Sequence, residues 1–456
     1  MTGNVGQMIA SRAARRMRWV GGWLLVMLLL PSLAVGAPLA ERQVLENGLT
    51  VLVASRRALP IVTINVTVQA GSLWEPEGQA GLANLAALLL TRGTTTRTAA
   101  QIDEEVDFIG ASLSSSAGRD SSEVDLTLLK KDLPKGLELL ADVLLHPAFG
   151  EAEIARKVRE IRAALRKRQE DPGEVAQEAF NELVFGSHPY GRPLEGTDAS
   201  LSTITRDAIV RFYREHCTPE RSIITVVGDV EPKEIAQQLR ALLNAWPKGK
   251  STGERAGDPK PMQEKPVVKK IDRSVTQANI FLGHQGIRRD NPDFYAVTVM
   301  NYILGGGGFS SRLVERIREE KGWAYDIHSY FYPGLERGAF QVGLQTKNET
   351  AGAAVGEVLR EIRRIRDQGV TDQELADAKA YLTGSFPLRL DTNRKLAGLI
   401  STVEYYKIGL DYADRYPKLI EAVTKEEVLR VARAYLWPDR YVLVVVADQA
   451  KVALPE

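Results

Sequence analysis

The chain has 456 residues, 44% of them hydrophobic and 26% charged, with 59 Lys and Arg against 58 Asp and Glu. This length and balance call for roughly two or three ordinary globular domains, and they exclude a disordered chain, a fibre and the concentrated cationic footprint of a nucleic-acid binder. A single cysteine, Cys217, rules out an internal disulfide and a thiolate zinc cluster. No two of His146, His188, His216, His284 and His328 stand three or four residues apart, so no helix carries a His-based zinc pair.

Residues 1–37 have the make-up of an export signal. Arg12, Arg15, Arg16 and Arg18 precede an apolar run from Trp23 to Leu30, Pro31 breaks it, and small residues follow through Ala34 to Ala37. Cleavage after Gly36 or Ala37 is expected; the alternative is an uncleaved anchor, since Trp19 to Ala37 is nearly long enough to span a bilayer. No cysteine follows the apolar run, which excludes a lipoprotein anchor. Without this segment the chain keeps 55 basic and 58 acidic residues, a formal charge of −3, as expected of a mildly acidic exported protein, most naturally periplasmic.

Asn47-Gly48 closes a hairpin between 43–45 and 49–54, a strand spans 61–69, an all-apolar helix runs from about 80 to 90, and another helix covers 99–109. Strands at 111–116 and 123–128 follow, then helices at 131–145, 151–167 and 172–184. A linker rich in Gly, Lys, Pro and Glu occupies 247–266, after which the series repeats: a strand at 278–283, helices at 292–304 and 309–321, strands at 324–332 and 339–345. The repetition is explicit in one place. Thr205 to Asp229 aligns with Thr424 to Asp448 at a constant offset of 219, matching Thr, Arg, Arg, Pro, Arg, Val and Asp without a gap. In both copies a helix with an acid-rich first turn leads through a Pro-Glu-Arg or Pro-Asp-Arg turn into a β-branched strand. The expected fold class is therefore α+β, with two homologous domains, 38–246 and 267–456, each a mostly antiparallel sheet packed with helices.

Four glycines, Gly305, Gly306, Gly307 and Gly308, separate Leu304 from Phe309. No Lys-Ser/Thr follows them and no strand precedes them, so neither a phosphate-binding loop nor a dinucleotide fingerprint is present. The run is either a flexible connector between helices or a surface that a ligand backbone can approach closely. Beyond it, Phe309, Leu313 and Ile317 space an apolar stripe, and Gly322 suits the residue just past a helix end. Arg318, in the last turn, and Tyr325, seven residues on, either converge on one spot or stand as a solvated helix-end charge and an ordinary strand residue.

Taken together, these pieces resemble the pitrilysin/insulinase family of metallopeptidases, the inverted zincins, and in particular its short, processing-peptidase-like members. The resemblance rests on Glu46-Asn-Gly-Leu-Thr-Val-Leu-Val53, Gln69-Ala-Gly-Ser-Leu-Trp-Glu75, Gly81-Leu-Ala83 with Gly93-Thr94, and His188-Pro-Tyr-Gly-Arg-Pro193 with Gly196-Thr197. It continues through Gly308-Phe-Ser-Ser-Arg-Leu313 and Ile317-Arg-Glu-Glu-Lys-Gly-Trp-Ala-Tyr325, so it spans nearly the whole chain after the leader. It implies the LuxS/processing-peptidase-like metallohydrolase fold, two homologous domains closing as a clam. Active members carry H-x-x-E-H, two zinc ligands and a general base, on the helix that begins at Gly81-Leu-Ala83. Here those positions read Asn84-Leu85-Ala86-Ala87-Leu88, and the third ligand's place falls near Ala164, with Glu160 one turn earlier. By the same resemblance Arg318 and Tyr325 are the pair that binds the substrate backbone and stabilises the tetrahedral intermediate, and Gly305 to Gly308 with Phe309 line the substrate's approach. The expected function is a non-catalytic subunit of an exported peptidase, holding no cofactor itself. A paralogous partner would supply zinc, in a heterodimer or a dimer of heterodimers that cleaves extended peptides. Neither nucleic acid nor stable membrane insertion is expected once the leader is removed. The alternative is a peptide-binding scaffold with no part in proteolysis.

Overall fold

Strands β1 (Glu41–Val44), β2 (Thr50–Ser55), β3 (Ile61–Val68), β4 (Ser112–Ala117), β5 (Ser122–Leu129) and β6 (Ser222–Gly228) form one sheet in the order β1-β2-β6-β3-β5-β4. Strands β7 (Val267–Asp272), β8 (Gln277–Gln285), β9 (Ala324–Phe331), β10 (Ala339–Lys347) and β11 (Val442–Ala447) form a second, in the order β7-β11-β8-β10-β9. The pair β2–β6 is parallel and so is β7–β11, while all other neighbours are antiparallel. Five strands of the first sheet therefore follow the same path as the five of the second. A computed structural model describes residues 38–249, 255–262 and 264–454, so the export-signal expectation for 1–37 lies outside the described residues. No described helix is long and apolar enough to cross a membrane.

The helices that matter for the site are α1 (Leu82–Leu90), α2 (Glu151–Arg168), α3 (Pro172–Phe185), α4 (Arg206–His216), α5 (Asn393–Tyr405) and α6 (Lys425–Tyr435). α4 and α6 stand at the offset of 219 at both ends, each capped by a threonine, Thr205 or Thr424, whose hydroxyl accepts an N–H of the first turn. Each then feeds the buried central strand of its sheet, β6 or β11.

On one face, each sheet is covered by helices of its own half. Val62, Ile64, Val66 and Val68 of β3 pack there with Leu85 and Leu89 of α1 and with Phe212 of α4. On the other face, the cover comes from the opposite half. Ala176, Ala179, Phe180 and Val184 of α3 pack onto Val442, Val444 and Val446 of β11, while Ala397 and Ile400 of α5 pack with Leu52, Ile223 and Val227 of the first sheet. The offset of 219 carries Pro172 to position 391, two residues before Asn393, so α3 and α5 are the duplicated pair and each has crossed to the other's sheet. Under α5 the first sheet is polar. Ser401 Oγ lies 2.7 Å from Asn65 Oδ1 and 2.8 Å from Thr225 Oγ1, and Asn65 donates to Asp125 Oδ1 at 2.9 Å, so each of these buried polar groups has a partner.

This exchange changes the expected clam. The described residues form one compact unit, with the halves interlocked through the crossed helices rather than hinged. The expected linker is likewise held down where it is described: Lys260 O accepts from Gln285 Nε2 at 2.6 Å, Gly257 O lies 2.9 Å from His188 Nε2, and Arg337 N–H donates to Asp258 at 3.0 Å.

The glycine run also departs from a free connector. The helix Phe294–Asn301 continues through a wide π-helical turn, Tyr302–Gly306, and only Gly307 and Gly308 lie beyond it. A second π-wound stretch, Val314–Glu320, follows, and the expected apolar stripe is broken at its start. Leu313 and Ile317 are fully buried, but Phe309, in a short turn ahead of the helix, is 71% exposed.

Candidate functional site

α1 starts at Leu82 rather than Ala80 because Gly81 adopts φ +92°, where a Cβ would also lie 2.7 Å from Glu195 O. Gly81 has no side chain to cap the helix. That role falls to Glu75, whose Oε1 accepts the N–H groups of Gly81 at 3.1 Å and Ala83 at 2.9 Å. On this helix Leu85, Ala86 and Ala87 are buried, and Leu88 packs on the first-half core, as do Ile154, Val158 and Leu165 of α2. Asn84 keeps a buried Nδ2 without a hydrogen-bond partner among the described residues. Ala164 is exposed on α2, and the Glu160 carboxylate is held by Lys157 at 2.8 Å and by Arg156. An amide, two apolar side chains and a methyl group do not fit zinc, which takes thiolate, imidazole or carboxylate ligands. Among the described residues no three His, Cys, Asp or Glu side chains are placed to share a metal ion.

The other half of the expected site comes together. The Arg318 guanidinium sits 4.7 Å from the Phe309 ring centroid and 5.3 Å from that of Tyr325, which is 78% exposed. Gly322, at φ +64°, ends the helix by donating its N–H to Arg318 O at 3.0 Å, and β9 begins two residues later, which brings Tyr325 back beside Arg318. Cation–π contact with both rings restrains the guanidinium while leaving its terminal N–H groups to a ligand. Its one ion-pair partner among the described residues is the neighbouring, exposed Glu319, at 3.5 Å.

The four glycines serve different needs. A Cβ on Gly305 would lie 2.5 Å from Ser329 Oγ and 2.8 Å from Leu313, and those on Gly306 and Gly307 would come within 2.7 Å of Asn301 and Tyr302. Gly308, at φ +57°, has open space around it. Gly305→Ala is therefore expected to cost about 2 to 3 kcal/mol by overpacking, and Gly308→Ala about 1 kcal/mol through its backbone conformation alone. Urea denaturation of the two variants checks the difference.

Three of the five histidines make structural contacts. His284 is buried against Trp437, with ring centroids 4.5 Å apart, and accepts the Trp437 N–H at 3.1 Å; burial pushes its pKa down to about 4. His188 accepts the Tyr190 N–H at 3.1 Å, and His146 contacts Asp142 at 3.1 Å.

Both halves match family descriptions: "Insulinase (Peptidase family M16)" over residues 50–198 and "Peptidase M16 inactive domain" over 203–382. An uncharacterized zinc protease of Mycobacterium leprae is 30% identical over 408 residues, covering 87% of this chain and 89% of its own. The chain belongs to peptidase family M16. Another relative, an uncharacterized zinc protease of Rickettsia bellii, is 29% identical over 75% of this chain and 82% of its own. A crystal structure of a peptidase M16 inactive domain from Pseudomonas fluorescens superposes with a TM-score of 0.86 at 26% identity, covering 91% of this chain and 100% of that one. A protease from Helicobacter pylori shares the fold at 21% identity, with a TM-score of 0.83 over 90% of this chain and 100% of its own.

Two features of this M16 chain escape a sequence reading. Glu75 is buried, its Oε2 has no partner among the described residues, and burial pushes its pKa up to about 8. From the ordinary value of 4.5 up to about 8 the folded protein therefore keeps a proton that the unfolded chain has lost, and this group's contribution to stability declines as pH rises through that window. Glu75→Gln should remove the decline. Between about pH 5 and 8 the wild type should lose on the order of 3 kcal/mol relative to the variant, measured by urea unfolding. The second feature is the hairpin turn between β4 and β5. Asp120 accepts from the hydroxyls of Tyr190 and Tyr406 and, at 2.9 Å, from the N–H of Leu335, so it ties together three distant segments from both halves.

Proposed function

We propose that this chain is the non-catalytic subunit of an exported, heteromeric M16 peptidase, and that it contributes substrate-backbone and transition-state contacts to a paralogous subunit that carries the zinc. The observation that carries this reading is the asymmetry between two sites on one chain. Arg318 contacts the exposed rings of both Phe309 and Tyr325, while Asn84, Ala87 and Leu88 occupy the ligand and base positions of α1. A guanidinium fork holds a peptide carbonyl, and a phenol donates to a developing oxyanion. Tyr325 lies on β9, the last strand of its sheet, where an extended peptide adds by main-chain hydrogen bonds. The leader's Arg-rich start, apolar run and small-residue end support export to the periplasm.

The test is to purify the chain alone and together with a paralogue that retains H-x-x-E-H, and to follow cleavage of a fluorogenic extended peptide. Hydrolysis is expected only from the pair. Cleavage by this chain alone would overturn the proposal, and peptide binding without stimulated cleavage would favour the scaffold reading. N-terminal sequencing of the exported protein checks cleavage near Ala37.

A further inference from the structure

A cavity of about 610 Å³ opens where the two halves meet, between α3, the β4–β5 turn and the β9–β10 hairpin. Arg119, Gln177, Asn181, Tyr190, Tyr332 and Gln341 are among the residues that line it. Arg119 is its charged centre. The guanidinium packs against Phe185 at 5.5 Å and Tyr190 at 5.4 Å, measured to the ring centroids, and no carboxylate among the described residues lies within ion-pair distance of it. The adjacent acid, Asp120, has its oxygens occupied by Tyr190, Tyr406 and the Leu335 N–H. Burial pushes the Arg119 pKa below its ordinary value, with the nearby Tyr190, Asp120 and Tyr332 only opposing that shift. Around it, Gln177 and Gln341 pair their amides at 3.0 Å, which fixes a polar wall.

The cavity is continuous with the strand that carries Tyr325. His328, Tyr330 and Tyr332 follow one another at two-residue spacing, with rings 5.1 and 5.7 Å apart, and Tyr330 pairs in register with Gln341 of the cavity wall. The ladder runs from near the Arg318–Tyr325 cluster to the rim of the cavity, seven residues on, or roughly 23 Å at about 3.3 Å per residue.

We propose that this cavity binds the carboxylate of an extended peptide, with Arg119 as its counter-ion, and so fixes the peptide's register relative to Arg318. The proposal deepens the functional reading above and rests on it for the peptide's path along β9. A free C-terminus reaches Arg119 if the peptide runs parallel to β9, whereas an acidic side chain reaches it in either direction. With no ion-pair partner among the described residues and packed against aromatic rings, the guanidinium suits a planar carboxylate.

The experiment uses the full chain and three fluorescein-labelled, otherwise acid-free peptides of about ten residues: one with a free C-terminus, one C-terminally amidated, and one amidated with a single internal Glu. Fluorescence anisotropy at low salt should show wild type binding at least one carboxylate-bearing peptide about tenfold more tightly than the amidated peptide. Arg119→Gln should lose that preference without weakening amidated-peptide binding, and Arg119→Lys should keep part of it. A preference confined to the first peptide assigns the C-terminus, and one confined to the third assigns an acidic side chain. Equal binding of all three to wild type, or binding of none, overturns the proposal. The wild-type comparison needs neither a folded variant nor the partner subunit. A failure here, combined with normal Arg318 dependence of the pair's turnover, removes the cavity and leaves the subunit reading intact; the converse result does the opposite.

Discussion

In the proposed complex with a zinc-bearing paralogue, Arg318→Ala is expected to lower kcat by about a hundredfold, the loss typical of removing one donor to a developing oxyanion. The size follows from preorganisation. In contact with the rings of Phe309 and Tyr325, the guanidinium is restrained before the substrate arrives, so its hydrogen bonds form with less further ordering. Thermal unfolding should hardly move, because the only ion pair lost among the described residues is the exposed contact with Glu319. Arg318→Lys keeps the charge but loses the fork and the stacking, and should fall between the two. Tyr325→Phe tests the second donor with its ring contact kept. Steady-state kinetics of the pair, with scanning calorimetry of this chain, give both readouts, and an unchanged kcat for Arg318→Ala removes that residue from the site.

Asp120→Ala should cost about 4 kcal/mol of stability. The change orphans three donors at once, the Tyr190 and Tyr406 hydroxyls and the Leu335 N–H, in a place where Asp120 itself is only 8% exposed. Each buried donor left without a partner costs roughly 1 to 3 kcal/mol, less where the neighbouring cavity admits water. Tyr406→Phe, which removes one donor and leaves Asp120 its other two, should cost about 1 kcal/mol. Urea titration of the two variants separates them. A loss under about 1 kcal/mol for Asp120→Ala would mean that cavity water replaces the carboxylate.

Where periodicity and chain order decide the structure, the sequence was legible. The offset of 219 places α4 and α6 at both ends, and the Asn47-Gly48 turn, the alternation in β3 and the apolar run of α1 identify their elements. The convergence of Arg318 and Tyr325 was legible as one of two alternatives, and the short helix-to-strand connection at Gly322 decides it. What remained hidden depends on contacts distant in sequence. The apolar face of α3 shows that the helix is buried but not which sheet buries it. Gly305 is needed because Ser329 crowds it from a strand more than twenty residues away, and nothing local predicts the π-wound turn that results. Arg119 sits in a hairpin turn, where a charged residue is ordinarily solvated; only the arrival of α3 and of Tyr190 encloses it.

The crossing of α3 and α5 has a consequence for how the molecule came about and how it can move. A duplicated unit that gives its helix to its twin has the connectivity of a domain-swapped dimer written onto one polypeptide, which suggests an ancestral half that was stable only in pairs. Either half produced alone would present a bare sheet face and an apolar helix with nothing to cover. Nor can the halves swing apart to admit a peptide without withdrawing Phe180 and Val184 from one sheet and Ile400 from the other, at about 1.5 to 3 kcal/mol for each side chain uncovered. In the proposed pair with a zinc-bearing paralogue, opening and closing around a peptide would therefore fall to the boundary between the two subunits.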